Sequence, residues 1–132
     1  MDAYRILLVE QQEGLRVPLE RALRLFRYDV LAVSTVAGAK AALLDDRIDL
    51  LLSDVTLEAT SGFELALWAR ALRPGLPILL ISGMALFFAP AELRNDPAVR
   101  LVAKPFQIAK LMADVAELLA WRSSGATDIS ES

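Results

Sequence analysis

Polar side chains that could take part in chemistry follow four apolar runs of this sequence. They are Glu10 and Gln11 after the first run, then Asp54, Ser82, and Lys104 with Pro105. Together they offer two carboxylates, an amide, a hydroxyl and an ammonium group. Asp54 stands out, because it follows the leucines of IDLLLSDVTL (48–57) and no other charge follows it until Glu58.

The composition excludes several other kinds of site. The chain has no cysteine and no histidine, which removes thiolate metal sites, cysteine nucleophiles, a histidine base and a histidine metal ligand. It holds 14 basic and 17 acidic residues, for a net charge of -3 without a basic block, so direct binding of nucleic acid is not expected. The start, MDAYRILLVE, has an apolar run too short for a secretory segment, which favours a cytoplasmic location with no membrane contact.

The apolar runs predict how a single domain of 132 residues is built. Five runs have the length of strands, and helical patterns lie between them. The runs are continuously apolar, as expected of parallel strands that are covered on both faces. The predicted strands are 5–9, 29–33, 49–53, 77–82 and 100–103, and the predicted helices are 13–26, 35–45, 62–72, 84–93 and 106–121.

Such an alternation predicts an α/β fold with an open, doubly wound sheet, which binds ligands at the carboxyl ends of its strands. The polar side chains named above fall at those ends. Each also has a plain structural interpretation: the acids could solvate loops or cap helices, Ser82 with Gly83 could form a turn, and Lys104-Pro105 could open a helix. Turn chemistry gives no reason, however, for a lysine after the fifth strand to meet an aspartate after the third.

These residues resemble the motifs of a response-regulator receiver domain, the phosphoacceptor module of bacterial two-component signalling. The resemblance covers about residues 4–121 and implies a flavodoxin-like fold with strand order 2-1-3-4-5, like the chemotaxis regulator. It also implies a receiver domain over residues 1–121 with a polar tail or linker over 122–132. The motifs that carry it are ILLVEQQ (6–12), LLLSDV (50–55), SGFEL (61–65), PILLISG (77–83) and VAKPF (102–106).

Carried onto this sequence, the resemblance implies a role for each polar residue. Asp54 is then the phosphoacceptor, Lys104 neutralises charge on the transferred phosphoryl group, and Ser82 donates a hydrogen bond to it. Mg²⁺ is the implied cofactor, bound by Glu10, Asp54 and the backbone carbonyl of Thr56. The protein is then a signalling module, a phosphoprotein of a phosphorelay, and not an enzyme.

The sequence departs from the family pattern at the predicted metal site. The family has two acids in a row after the first strand, whereas this chain has Glu10 and then Gln11. Mg²⁺ prefers oxygen ligands in near-octahedral geometry, and the amide of Gln11 brings only a dipole. A charge pair at 4 Å is worth about 4 kcal/mol at an effective dielectric of 20, so losing one carboxylate costs affinity. We therefore expect weak Mg²⁺ binding, with Gln11 as a weak ligand.

Further departures concern the surface through which a receiver signals. Leu101 stands where relatives usually have an aromatic residue that moves with the serine, and Glu58 replaces a frequent proline. Phe87 and Phe88 lie side by side on the predicted fourth helix, where adjacent residues cannot both face the core. One of them either shields a loop or belongs to a partner or homodimer surface on the fourth helix, fifth strand and fifth helix.

Three functions follow from these features. The first is a receiver that accepts a phosphoryl group on Asp54 from a sensor histidine kinase or phosphotransfer protein and then changes its binding surface. The second is a pseudo-receiver that acts as an interaction or dimerisation module without phosphorylation. The third, a flavodoxin-like cofactor binder or small enzyme, is disfavoured because the loop VEQQEGL (9–15) lacks a phosphate-binding pattern.

Overall fold

The protein, seen in a computed structural model that describes residues 3–57, 60–83 and 89–123, is built on a parallel sheet. Its strands, in chain order, are β1 (Arg5–Val9), β2 (Asp29–Val33), β3 (Leu50–Asp54), β4 (Thr56–Leu57), β5 (Thr60–Ser61), β6 (Ile78–Ser82) and β7 (Val99–Ala103). Five of them form the parallel sheet in the order β2-β1-β3-β6-β7, while β4 and β5 pair as a short antiparallel ribbon. The predicted order 2-1-3-4-5 is confirmed once this unpredicted ribbon is set aside.

The helices lie on both faces of the sheet. They are α1 (Glu13–Leu25), α2 (Val36–Asp45), α3 (Gly62–Leu72), α4 (Ala91–Arg94) and α5 (Ile108–Ser123). Four of the predicted helices begin and end within two residues of these bounds. Because α5 runs to Ser123, it extends two residues into the predicted tail, of which residues 124–132 lie outside the described part.

The prediction of a fourth helix over 84–93 was wrong for residues 89 and 90. Ala89 and Pro90 are not helical, and the helix begins only at Ala91. Pro90 has an extended ψ of 141°, and a proline disfavours helical geometry in the residue before it, so the chain enters α4 after this pair. Residues 84–88, with Phe87 and Phe88, lie outside the described residues, as does Glu58.

The core consists of two apolar layers, one on each face of the sheet. Alternate strand residues point to opposite faces, so Leu51 packs with α2, α3 and α4, whereas Leu52 packs with α1 and α5. Three of the parallel strands, β1, β3 and β6, contribute buried residues to both clusters. This two-sided burial explains why the strand sequences are continuously apolar where a half-exposed strand would alternate.

Local signals fix where the helices begin and end. The hydroxyl of Thr35 accepts a hydrogen bond from the Gly38 N–H at 3.0 Å, which caps α2. Ser61 caps α3 in the same way. That helix ends at Leu72, just before Pro74 and Gly75, and Gly75 adopts a left-handed φ of 88° that suits glycine.

The amino-terminal edge of the sheet is held by charged pairs. The Arg5 guanidinium lies 3.1 Å from a carboxylate oxygen of Asp46, and the Arg5 backbone N–H donates to Asp49 at 2.7 Å. These contacts join the start of β1 to the segment that precedes β3. Among the described residues, no helix combines the length and the hydropathy needed to cross a bilayer.

Candidate functional site

Asp54 and Lys104 form an ion pair at the carboxyl edge of the sheet. Asp54 is the last residue of the central strand β3, and Lys104 directly follows β7. The Lys104 Nζ lies 2.7 Å from Asp54 Oδ2, while Asp54 Oδ1 accepts from the Thr56 N–H at 3.1 Å. Asp54 is only 5% exposed, so this pair lies in a pocket that water reaches mainly along the lysine.

The lysine comes into reach because β7 ends beside β6. The register pairs Ser82 with Ala103, and the Lys104 backbone N–H donates to the Ser82 carbonyl at 2.8 Å. The Lys104-Pro105 peptide that follows is cis. The pairing of β6 with β7 therefore fixes the backbone position of Lys104. From there its side chain reaches across β6 to Asp54 at the end of β3.

Glu10 is a second buried carboxyl group in this pocket. It follows β1, is 2% exposed, and accepts a hydrogen bond from the Gln12 N–H at 3.0 Å. Burial raises the pKa of Glu10 from its ordinary 4.5 to about 7; its hydrogen bond and charge contact with Asp54 act in the same direction, against the opposing effects of the Gln12 N–H and Lys104. Glu10 therefore shares the buried edge with Asp54.

The structure brings some of the other predicted site residues to the same edge. Ser82 ends β6 and is 1% exposed, so its hydroxyl lies inside the protein. Thr56 begins β4 and touches Asp54 through its N–H. Gln11, by contrast, is exposed, unlike its neighbour Glu10.

Gly62 packs closely against the backbone at the end of β3. Its N–H donates to the Val55 carbonyl at 2.7 Å, and a Cβ on Gly62 would lie 2.3 Å from the Asp54 carbonyl oxygen. The first residue of α3 therefore packs directly on the backbone of Asp54. The motif SGFEL contained this glycine, but its contact with β3 could not be predicted, because the turn between them is formed by the unpredicted ribbon.

Arg16 also belongs to the surroundings of the site, and sequence reasoning missed it. Its Nη1 donates to the carbonyl of Glu10 at 3.0 Å and to that of Gln11 at 3.2 Å. An arginine in the first turns of an amphipathic helix resembles any solvated surface residue, so the sequence offers no signal for this contact.

The donor chemistry of the pocket fits a hard divalent cation. When both are ionised, Glu10 and Asp54 carry two negative charges against the single positive charge of Lys104, and carboxylate oxygens are the ligands that Mg²⁺ prefers. Within the described ranges, however, no group of three or more acidic, histidine or cysteine side chains clusters as a metal centre does. The residues fit such an ion with fewer charges than a full acidic cluster would supply.

Comparisons with known proteins agree with this architecture. A five-stranded parallel sheet in the order β2-β1-β3-β6-β7 with helices on both faces is a flavodoxin-like α/β fold. Residues 6–116 match the family of response regulator receiver domains. The chain is also 30% identical over 115 residues to the response regulator receiver protein CpdR of Brucella abortus, covering 87% of this chain and 96% of that protein. The chain therefore belongs to the response regulator receiver family.

Solved structures share the fold. A CheY-like receiver domain protein from Methanospirillum hungatei superposes with a TM-score of 0.87 at 24% identity, over 94% of this chain and 99% of that one. The response regulator TrrA from Thermotoga maritima, solved in complex with Mg²⁺ and BeF, gives 0.77 at 22% identity, over 87% and 98%. Some curated relatives are longer proteins, of which this chain spans 24% or 54%.

Proposed function

We propose that this receiver domain accepts a phosphoryl group on Asp54 from the phosphohistidine of a sensor histidine kinase or a phosphotransfer protein. The observation that carries the proposal is the 2.7 Å contact between Lys104 Nζ and Asp54 Oδ2 in a buried pocket at the carboxyl edge. A carboxylate can attack phosphorus if charge on the transferred group is neutralised, and Lys104 is a fixed positive charge at that point.

In the transfer, an Asp54 carboxylate oxygen forms a bond to phosphorus while the bond between phosphorus and the donor's imidazole nitrogen breaks. The electron pair returns to the imidazole, which is released as the neutral ring once the protons are exchanged with water. Lys104 balances the negative charge that gathers on the phosphoryl oxygens. Ser82 is the residue from which a hydroxyl would donate to one of those oxygens.

Glu10, Asp54 and the Thr56 carbonyl are the residues that would hold Mg²⁺, with Gln11 as a weak further ligand. When bound, the ion supplies positive charge that offsets the charge on the phosphoryl group. Glu10 supplies a carboxylate one methylene longer than the usual aspartate, and the exposed Gln11 supplies no charge. We therefore expect an affinity for Mg²⁺ below that of receivers with the full acidic pair.

The test is to incubate the protein with a small phosphodonor and Mg²⁺ and to follow its intact mass. We expect a gain of one phosphoryl group in the wild type and none in Asp54→Asn. Asp45→Asn is the matched control, because Asp45 is exposed at the end of α2, and it should label as the wild type does. Lys104→Gln should label more than about tenfold more slowly.

A pseudo-receiver is the second candidate, and Gln11 is the observation that favours it. If the wild type stays unlabelled under conditions that label an ordinary receiver, the chain is an interaction module that works without phosphorylation. Partner binding should then be the same in Asp54→Asn and in the wild type. Leu101, which cannot act as the aromatic switch, is consistent with this second function.

The partner surface that we propose consists of α4, β7 and α5. Its described part holds a groove of about 430 Å³, whose lining includes Leu101, Phe106 and Lys110. Homodimerisation on this surface would let the phosphorylation state control assembly. We assign the protein to the cytoplasm, where kinases of this kind deliver their phosphoryl groups, with no nucleic acid, membrane or enzymatic role of its own.

A further inference from the structure

The side chain of one arginine, Arg16, binds backbone carbonyls of the loop between β1 and α1. Two successive residues of that loop accept hydrogen bonds from the Arg16 side chain: its Nη1 donates to the carbonyls of Glu10 at 3.0 Å and Gln11 at 3.2 Å. The Gln12 carbonyl accepts the first helical hydrogen bond of α1 from the Arg16 backbone N–H at 2.8 Å, a bond that does not depend on the side chain. The side chain is half-buried against the loop. Rotation of either peptide unit bound by the guanidinium would break a hydrogen bond to Arg16.

This loop determines where the carboxyl group of Glu10 lies. Glu10 Oε2 accepts from the Gln12 N–H at 3.0 Å, and the carbonyl of that same peptide unit, on Gln11, accepts from Arg16 Nη1, so the position of the Glu10 side chain depends on a peptide that Arg16 restrains. Glu10 in turn contacts Asp54 inside the pocket. Hydrogen bonds therefore connect the guanidinium of Arg16 to the carboxyl group of Glu10, which interacts with Asp54 at the end of β3.

We propose that Arg16 is a positioning residue for the divalent cation site. This inference rests on the proposed function. A second acidic ligand would itself help to shape the loop when it binds the ion, but Gln11 is exposed and carries no charge. The loop must then be preorganised by the protein. Groups behind the ligands typically change metal affinity by about 10- to 100-fold, and Arg16 is such a group for Glu10.

The experiment measures the Kd of Mn²⁺, used as the probe of the site, by water-proton relaxation, together with the melting temperature of each variant. We expect Arg16→Gln to bind Mn²⁺ at least about tenfold more weakly than the wild type, and Arg16→Lys to recover part of the loss. Arg24→Gln is the matched control: Arg24 also lies on α1 and donates to a carbonyl, that of Val30 at 2.8 Å. Its Kd should equal that of the wild type.

A merely structural arginine would lower the melting temperature and leave the Kd of the folded protein unchanged. Equal affinities in Arg16→Gln and the wild type would therefore overturn the proposal, even if Arg16→Gln melts earlier. Should Arg16→Gln not fold, Arg16→Lys decides: weaker binding supports the role, and unchanged binding overturns it. If the wild type binds no Mn²⁺ and takes no phosphoryl group, the proposed function fails as well; if it does both while Arg16→Gln matches it, only the role of Arg16 fails.

Discussion

Two carboxyl groups and one ammonium group share the buried end of β3, and their charges do not cancel when both acids are ionised. Asp54 has a direct partner in Lys104, whereas Glu10 is nearly inaccessible to water and contacts Asp54 itself. A proton or a cation is the natural way to relieve this excess of negative charge. In the ion-free protein we expect a proton on Glu10 to serve that purpose around neutral pH.

The stability of the ion-free protein should therefore depend on the state of Glu10. The pKa of Glu10 is 4.5 when unfolded and about 7 when folded, so the folded state binds more protons between these values. The free energy of unfolding therefore falls as pH rises through this window. Ionisation of Glu10 costs no stability below the window, and its full penalty applies above it. The total is on the order of 3 kcal/mol, since one pKa unit corresponds to about 1.4 kcal/mol.

The measurement is urea unfolding of the wild type and Glu10→Gln between pH 4 and 8, in the presence of a chelator. Glu10→Gln has no carboxyl group to titrate, so the wild type should lose stability relative to it as pH rises. A difference between the two proteins that stays constant over this range would contradict the assignment. Added Mg²⁺ should reduce the slope for the wild type, because an ion would stabilise the ionised form.

For single residues, the sequence predicted where they lie in the fold better than which residues they contact. The ends of the apolar runs indicated Asp54, Ser82 and Lys104, because parallel strands all deliver their carboxyl ends to one edge. The resemblance placed Glu10 and Asp54 at one metal site, but their direct contact depends on side-chain length and on the loop path, which the pattern does not give. The same limit hid Arg16, whose role comes only from where its guanidinium ends.

The helices α2 and α3 are each fixed at their first turn. The helix α3 begins at Gly62, where backbone meets backbone at the end of β3, and α2 begins after Thr35, whose hydroxyl caps the helix. Ser34 and Thr35 are adjacent hydroxyl residues before α2, and Thr35 is the one that caps the helix. Only the backbone path decides which of two adjacent hydroxyls can reach the third N–H of a helix.

Gly62→Ala should destabilise the protein. The new Cβ would lie 2.3 Å from the Asp54 carbonyl oxygen and 2.8 Å from Val55 Cα, and both neighbours are backbone atoms that cannot rotate away. Overpacking of this kind costs about 1 to 3 kcal/mol, and α3 or the end of β3 must shift. Urea unfolding measures the loss, and labelling of Asp54 should slow as well.

Gly14→Ala is the matched control for this change. Gly14 lies in the first turn of α1, and apart from its chain neighbours and the backbone of its own helix no described atom lies within 4 Å of the position that its Cβ would take. Alanine favours a helix over glycine, so this variant should gain about 0.5 to 1 kcal/mol. If Gly62→Ala were as stable as Gly14→Ala, the close packing of α3 on β3 would be refuted.

The whole molecule was largely predictable because its pattern is consistent. Continuous apolar strands, amphipathic helices and turn residues all indicated the same doubly wound sheet, and the structure has it. The exceptions were the ribbon of β4 and β5 and the late start of α4. Two-residue strands lack a periodic signal, and Pro90 acts on the neighbouring backbone rather than on the hydrophobic pattern.

Self-association is a property of the whole molecule that the proposed partner surface predicts. If the proposed surface of α4, β7 and α5 dimerises, Phe87→Ser or Phe88→Ser should weaken the dimer in sedimentation velocity, with and without beryllofluoride as a mimic of the phosphoryl group. Leu25→Ser is the control, because Leu25 is an apolar residue on α1 that is 81% exposed. The surface is wrongly assigned if both phenylalanine variants sediment as the wild type does.

The two indole rings determine which optical signals this protein can give. Trp68 lies on α3 with the Lys40 ammonium 5.1 Å from its ring, and Trp121 lies in the last turn of α5, thirteen residues, or about 20 Å of helix, beyond Ile108. The neighbouring Arg122 contacts the carbonyl of Asp49, just before β3, which puts Trp121 at the far rim of the sheet from Lys104. The fluorescence of Trp121 should therefore stay nearly constant when an ion enters the pocket, and a reporter of ion binding would be better placed in the loop after β1.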